Sequence, residues 1–155
     1  MSDIVPVGKT RAQKLSDTEE FLGISLEKEL IGISLKKILT ISKVLEIVKV
    51  PYTPPSIVGV INLRGEIIPV LSLKLILGLS ETKEPTRIVV LDSNHGKAGI
   101  LVDSIVGVIR VPTDRLEPNP MVGRYSAYVS NVAQTEYGLM EVLDTQRVIN
   151  SLIGE

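Results

Sequence analysis

From Phe21 onward the chain is a succession of short apolar runs separated by charged residues or by Gly, Pro, Asn and Asp, the rhythm of strands and turns. Phe21-Leu22-Gly23-Ile24-Ser25-Leu26 alternates loosely. Leu30-Ile31-Gly32-Ile33-Ser34-Leu35 follows after Glu27, Lys28 and Glu29, a length that suits a hairpin turn. Ile38 to Val50 is a longer mixed stretch, stopped by Pro51 and by the stiff connector Tyr52-Thr53-Pro54-Pro55. Ile57 to Ile61 and Glu66 to Leu71 read as strands around an Asn62-Leu63-Arg64-Gly65 turn, and Pro69 suggests an edge position or a bulge. After the polar linker Ser80–Pro85, further strands are expected over Arg87–Leu91, Ala98–Val102, Ile105–Val111, Tyr125–Ala133 and Leu139–Leu143. Asp92-Ser93-Asn94-His95-Gly96 is a turn, and Pro112–Gly123 is the longest loop. Two helices complete the pattern. Ser72 can cap one over Leu73–Leu77, ended by Gly78; Asp144 can cap a final one in which Val148, Ile149 and Leu152 share a face.

The pattern repeats. Gly32 to Ile41 lines up with Gly99 to Val108, with three identical positions and most others of like character. Ile67 to Ser72 resembles Leu139 to Asp144, and a short helical pattern follows each. Two similar β halves, about 30–79 and 97–152, are therefore expected. Several short strands per half would make two small barrels, each too small to hide its apolar faces alone, so they should pack together. Residues 1–18, with Lys9, Arg11 and Lys14 and no sustained period, read as a flexible arm.

Composition narrows the function more than the fold. Val and Ile number 37 of 155 residues, a bias toward strands. There is no Cys, which excludes disulfides, thiolate metal sites and a cysteine nucleophile. The net charge is −1 and aromatics are 3%, which argues against nucleic-acid binding through phosphate contacts or base stacking. No apolar run is long enough for a membrane span, and the N-terminus has no secretory h-region, so a soluble, cytoplasmic protein without membrane insertion is expected.

Candidate chemistry is sparse. His95 is the one histidine, and Asp92 and Ser93 lie beside it, a nucleophile–base–acid set on paper. Triads, however, are assembled from residues held rigidly on separate elements, and three residues in one turn are more simply turn formers. Asp103 and Asp144 each follow a strand and are explained as caps or turn residues. The glycine runs around Gly59–Gly65 and Gly96–Gly107 lack the order of a phosphate loop. Arg64 is different: it sits at the tip of a turn between two apolar strands, where structure alone does not call for an arginine, and arginine is enriched at interface hot spots.

The block Gly59-Val60-Ile61-Asn62-Leu63-Arg64-Gly65-Glu66-Ile67-Ile68-Pro69-Val70-Leu71 closely resembles the CheW-like family. Gly99 to Val108 and Gly138 to Asp144 are further family-like blocks, and the resemblance covers about Phe21 to Leu152. It implies an all-β fold of two interlocked five-stranded SH3-like barrels with short helices and a C-terminal helix, occupying residues 19–152 as a single domain. It implies an adaptor and not an enzyme, with no cofactor: a chemotaxis scaffold that couples the cytoplasmic tip of membrane chemoreceptors to the regulatory domain of the histidine kinase CheA. Carried over by position, the contact residues are Ile38, Thr40, Gly59, Arg64, Thr86 and Val108. Ile38 and Val108 would offer apolar surface, Gly59 close backbone approach, and Arg64 polar contacts. Thr40 stands where many members carry glutamate, so that contact lacks the charge or meets a partner with matching changes. Two alternatives stand beside this reading. One is an adaptor of the same fold in a non-chemotaxis pathway, such as pilus motility or regulation. The other is a β-barrel enzyme or ligand binder using the Asp92–His95 turn.

Overall fold

The computed structural model describes residues 17–120 and 127–152. Strands β1 (Thr18–Leu26) and β2 (Glu29–Ser34) form a hairpin, and a single 3-10 turn leads to β3 (Ile38–Lys43). Next come β4 (Ile57–Leu63), β5 (Glu66–Ser72) and helix α1 (Leu73–Leu77). A second series follows: β6 (Arg87–Ser93), β7 (Gly96–Val102), β8 (Ser104–Pro112), the two-residue β9 (Glu117–Pro118), β10 (Val129–Thr135), β11 (Gly138–Leu143) and helix α2 (Thr145–Leu152). One sheet runs β8-β1-β2-β11-β10-β9 and the other β3-β6-β7-β5-β4. The all-β architecture of two interlocked barrels is as expected, with β9 as a short sixth strand on one of them.

The expected barrel halves, about 30–79 and 97–152, need correction. The repeat is real in element order, but the sheets do not follow it. The hairpin β1–β2 sits in the sheet of β8, β10 and β11, and the hairpin β6–β7 sits in the sheet of β3, β4 and β5. Each series thus lends its first hairpin to the barrel of the other. Two parallel seams result, Gly32 opposite Val142 and Gly99 opposite Val70, and both join positions that the sequence repeat aligns.

Burial explains the exchange. Adjacent strand residues point to opposite faces. In β1, Phe21 enters the interior of the six-stranded barrel with Ile109, Val111 and Met140, while Leu22 enters the core between the barrels. In β6, Ile88 and Val90 fill the five-stranded barrel with Ile61, Ile68 and Val70, while Val89 and Leu91 join the same central core. A hairpin buried on both faces needs apolar side chains at successive positions, which is why Ile88-Val89-Val90-Leu91 reads as a continuous run. Each fully buried Leu or Ile contributes about 1.5–3 kcal/mol. Helices α1 and α2 cover the central core with Leu73, Leu77, Val148 and Ile149.

Local signals were read correctly where the chemistry is local. The Ser72 hydroxyl accepts from the Leu75 N–H at 3.3 Å, Gly78 ends α1 with φ 72°, and Asp144 Oδ1 accepts from the Arg147 N–H at 3.0 Å. Pro69 does not mark an edge: β5 lies between β4 and β7. The ladder to β7 starts only at Val70, so the proline precedes it. Thr18, assigned to the arm, opens β1, and Asp17 O accepts from the Thr113 N–H at 3.0 Å. Residues 1–16 of that arm, and the first two residues of the strand expected over Tyr125–Ala133, lie outside the described residues.

Candidate interaction surface

The six carried-over positions do not form one patch. Ile38 and Thr40 lie on the edge strand β3, paired with Leu91 and Val90 around a bulge at Leu39. Both are half-buried, and Ile38 packs against the central core. Leu39 and Ile41 are exposed at 47% and 42%. Val108 belongs to the other sheet, on β8 opposite Leu22, and is 54% exposed. The repeat aligns it with Ile41, so the two barrels display an apolar side chain at equivalent edge positions.

Arg64 occupies the tip of the β4–β5 hairpin. Leu63 pairs with Glu66, leaving a two-residue loop whose φ values are 54° at Arg64 and 86° at Gly65. Positive φ at both central residues is the turn that matches strand twist, and Asn62 Oδ1 accepts the Gly65 N–H at 2.8 Å to brace it. The turn therefore comprises Leu63–Glu66, with Asn62 still inside β4. The Arg64 guanidinium makes no hydrogen bond or ion pair among the described residues. Beside it, Lys97 Nζ contacts Glu66 Oε1 at 2.6 Å, which sets this tip next to the β6–β7 turn. Ile38, opposite Leu91, is at the same end of the sheet.

Thr86 is at the far end, exposed just before β6. Its N–H donates to Val102 O at 2.9 Å and its hydroxyl to Asp103 O at 2.6 Å. Gly59 is buried in β4, immediately after a bulge. The backbone that approaches it closely is the chain's own segment at Val48.

The Asp92–His95 turn is organised by its own hydrogen bonds. Ser93 Oγ donates to Gly96 O at 2.7 Å and accepts from the His95 N–H at 3.1 Å. The β10–β11 turn is its twin: Thr135 Oγ1 donates to Gly138 O at 2.7 Å and accepts from the Tyr137 N–H at 3.1 Å. The same geometry recurs without a histidine, so the Ser93 hydroxyl is a turn former.

One cluster escaped the sequence reading. Glu27, taken as part of a charged turn, is buried, as are Lys74 and Asp103. Lys74 Nζ lies 2.7 Å from Glu27 Oε2, 2.6 Å from Asp103 Oδ1 and 2.7 Å from the Lys83 carbonyl oxygen. Glu27 also accepts from the Thr82 and Lys83 N–H groups at 3.0 and 2.8 Å and from the Ser80 and Thr82 hydroxyls. Its own N–H donates to Asp103 Oδ2 at 2.6 Å. The carboxyl is held at about 2, chiefly by the hydrogen bond from Lys74 and then by those from Thr82 and the Lys83 N–H. Burial alone would lower Lys74, but Asp103 and Glu27 hold it above its ordinary value. The cluster ties the β1–β2 turn, α1, the β7–β8 crossover and the linker together. Its one sequence signal was a lysine inside the apolar helix Leu73–Leu77.

Among the described residues, no group of three His, Cys, Asp or Glu could hold a metal ion, and no helix is long and apolar enough to cross a membrane. What the surface offers is apolar edge strands, a projecting arginine and turn backbone, which suit protein contacts.

Comparisons with known proteins agree with this picture. The family description "CheW-like domain" matches residues 20–152. The chain is 28% identical over 145 residues to the chemotaxis protein CheW of Thermotoga maritima, covering 93% of this chain and 95% of that one. To the chemotaxis protein CheW of Helicobacter pylori it is 36% identical over 112 residues, 69% and 68% of the two chains. The crystal structure of the scaffolding protein TtCheW from Thermoanaerobacter tengcongensis superposes with a TM-score of 0.77 at 33% identity, over 83% of this chain and 90% of that one.

Proposed function

The chain belongs to the CheW-like family of chemotaxis coupling adaptors, and on that premise we propose that it bridges membrane chemoreceptors and a CheA-type histidine kinase. It does so by contact alone. It holds the receptor's cytoplasmic tip and the kinase's regulatory domain in one assembly, so that receptor state reaches the kinase. The observation that carries this reading is Arg64, whose five donors project from a braced turn with no partner among the described residues, at the same end of the sheet as Ile38 of the edge strand β3. Apolar strand surface supplies affinity, while Arg64 and turn backbone set register. Ile38, Thr40, Gly59 and Arg64 fall on the barrel proposed to meet the kinase. Thr86 and Val108 lie apart from them and belong to a second contact. The action is cytoplasmic, where receptor tips and kinase meet.

Titration with the regulatory domain of the host's CheA, wild type beside Arg64→Glu, tests the proposal. Saturable micromolar or tighter binding, weakened by the substitution, is the expected result. Binding unchanged by Arg64→Glu would move Arg64 to another surface. Absence of binding would point to an adaptor of the same fold in a different pathway.

A further inference from the structure

The segment Val44–Val50 leaves β3 and crosses over β4 as a strap. Val48 N–H donates to Val60 O and Val60 N–H to Val48 O, each at 2.8 Å. Leu45 and Ile47 turn inward onto the core of the five-stranded barrel. Val44, Val48 and Val50 turn outward and are 41%, 56% and 39% exposed. Gly59 lies beneath the strap. A Cβ there would overlap the Val48 carbonyl oxygen and stand 2.8 Å from Ile47 Cγ2. The first obstacle is backbone, which cannot rotate aside as a side chain can.

The other barrel supplies an internal control. There β9 crosses β10 in the same register, Glu117 opposite Val132 and Pro118 opposite Asn131, next to a bulge equivalent to the one before Gly59. Aligning Ile68 with Met140 sets Gly59 against Asn131 and Val60 against Val132. A side chain is accommodated at that position, and the exposed residues Glu117 and Pro118 are not a valine series. The bridge itself therefore does not require glycine. Close seating of an apolar strap does.

We propose that Gly59 is a positioning residue, and that it acts on partner binding through the strap it seats. This rests on the kinase-adaptor reading. The partner does not touch Gly59, which the strap covers; it meets the outward Val44, Val48 and Val50, whose placement depends on the strap lying flat.

Amide hydrogen exchange on the free chain and titration with the CheA regulatory domain separate the two links. Gly59→Ala lifts the strap. Val48→Pro removes its N–H donor and leaves Gly59 intact. Val48→Thr keeps both. In Gly59→Ala and Val48→Pro, exchange at the Val60 amide is expected to rise by at least ~10-fold while the amides of Ile88–Leu91 stay protected. Both variants should bind at least ~10-fold more weakly. Val48→Thr should keep strap protection and binding near wild type. Loss of binding in Gly59→Ala with Val60 still protected would overturn the proposal, as would wild-type binding by Val48→Pro with its strap released. Failure of the wild-type chain to bind would overturn the kinase reading itself, and exchange would still decide whether Gly59 seats the strap.

Discussion

Lys74 Nζ stands 2.7 Å from Glu27 Oε2, a buried ion pair between the helix that follows one sheet and the hairpin turn of the other. Its acid response follows from the Glu27 carboxyl, lowered from an ordinary 4.5 to about 2. A carboxyl with a depressed folded-state pKa binds protons less readily than in the unfolded chain. Its stabilisation is therefore complete above 4.5 and is lost as pH falls toward 2. Urea titrations at neutral pH and at about pH 3 should show the wild type losing stability on acidification. Glu27→Gln should be less stable at neutral pH and show a flatter acid limb. An unchanged acid limb in Glu27→Gln would remove Glu27 as its source.

Gly32 lies on the β2–β11 seam, opposite Val142. A Cβ there would stand 2.5 Å from Met140 Sδ. Gly32→Ala should cost about 1–3 kcal/mol through overpacking. Part of that cost should return in Gly32→Ala/Met140→Val, because the clashing atoms are the far end of a side chain. A double-mutant cycle by chemical denaturation reads the coupling, and additive effects would contradict the contact.

Arg64 holds a left-handed backbone at φ 54°, a conformation costing roughly 1–2 kcal/mol for most L-residues. Asparagine before glycine is preferred in this turn. Arg64→Asn should leave stability unchanged or raise it by up to about 1 kcal/mol, while weakening binding to the kinase regulatory domain. Thermal melts and titration on the same sample check both. A destabilised Arg64→Asn would mean that the arginine is a structural residue.

The exchanged hairpins predict one cooperative unfolding transition. They also predict that neither series folds alone, because β1 pairs with β8 and β2 with β11 from the other end of the chain. Fragments 1–82 and 83–155 should each lack native circular dichroism and recover it when mixed. A folded isolated fragment would contradict this pairing.

How much was legible depended on the range of the interaction. Ser72, Gly78 and Asp144 were recognised as helix ends because a cap bonds within three residues. Arg64 and Gly65 were recognised as a turn because two backbone angles define it. Glu27 was misread because its neighbours Lys28 and Glu29 describe an exposed turn, while its partner Lys74 is far along the chain. Gly59 was read as a place of close approach, but the sequence did not say that Val48 of the same chain is what approaches. The edge position offered for Pro69 failed because strand order is a property of the whole sheet.

By itself the sequence determined most of the strands, their turns and caps, the internal repeat and the nearly continuous apolar run of Arg87–Leu91. Each depends on side-chain period or on bonds between near neighbours. Only the tertiary structure decided that the two hairpins change places, that Gly32 meets Val142 while Gly99 meets Val70, and that Glu27, Lys74 and Asp103 share one buried site. Apolar period shows that a hairpin must be covered on both faces, but two similar barrels offer it nearly the same cover. The choice between them rests on contacts that exist only once both barrels have formed.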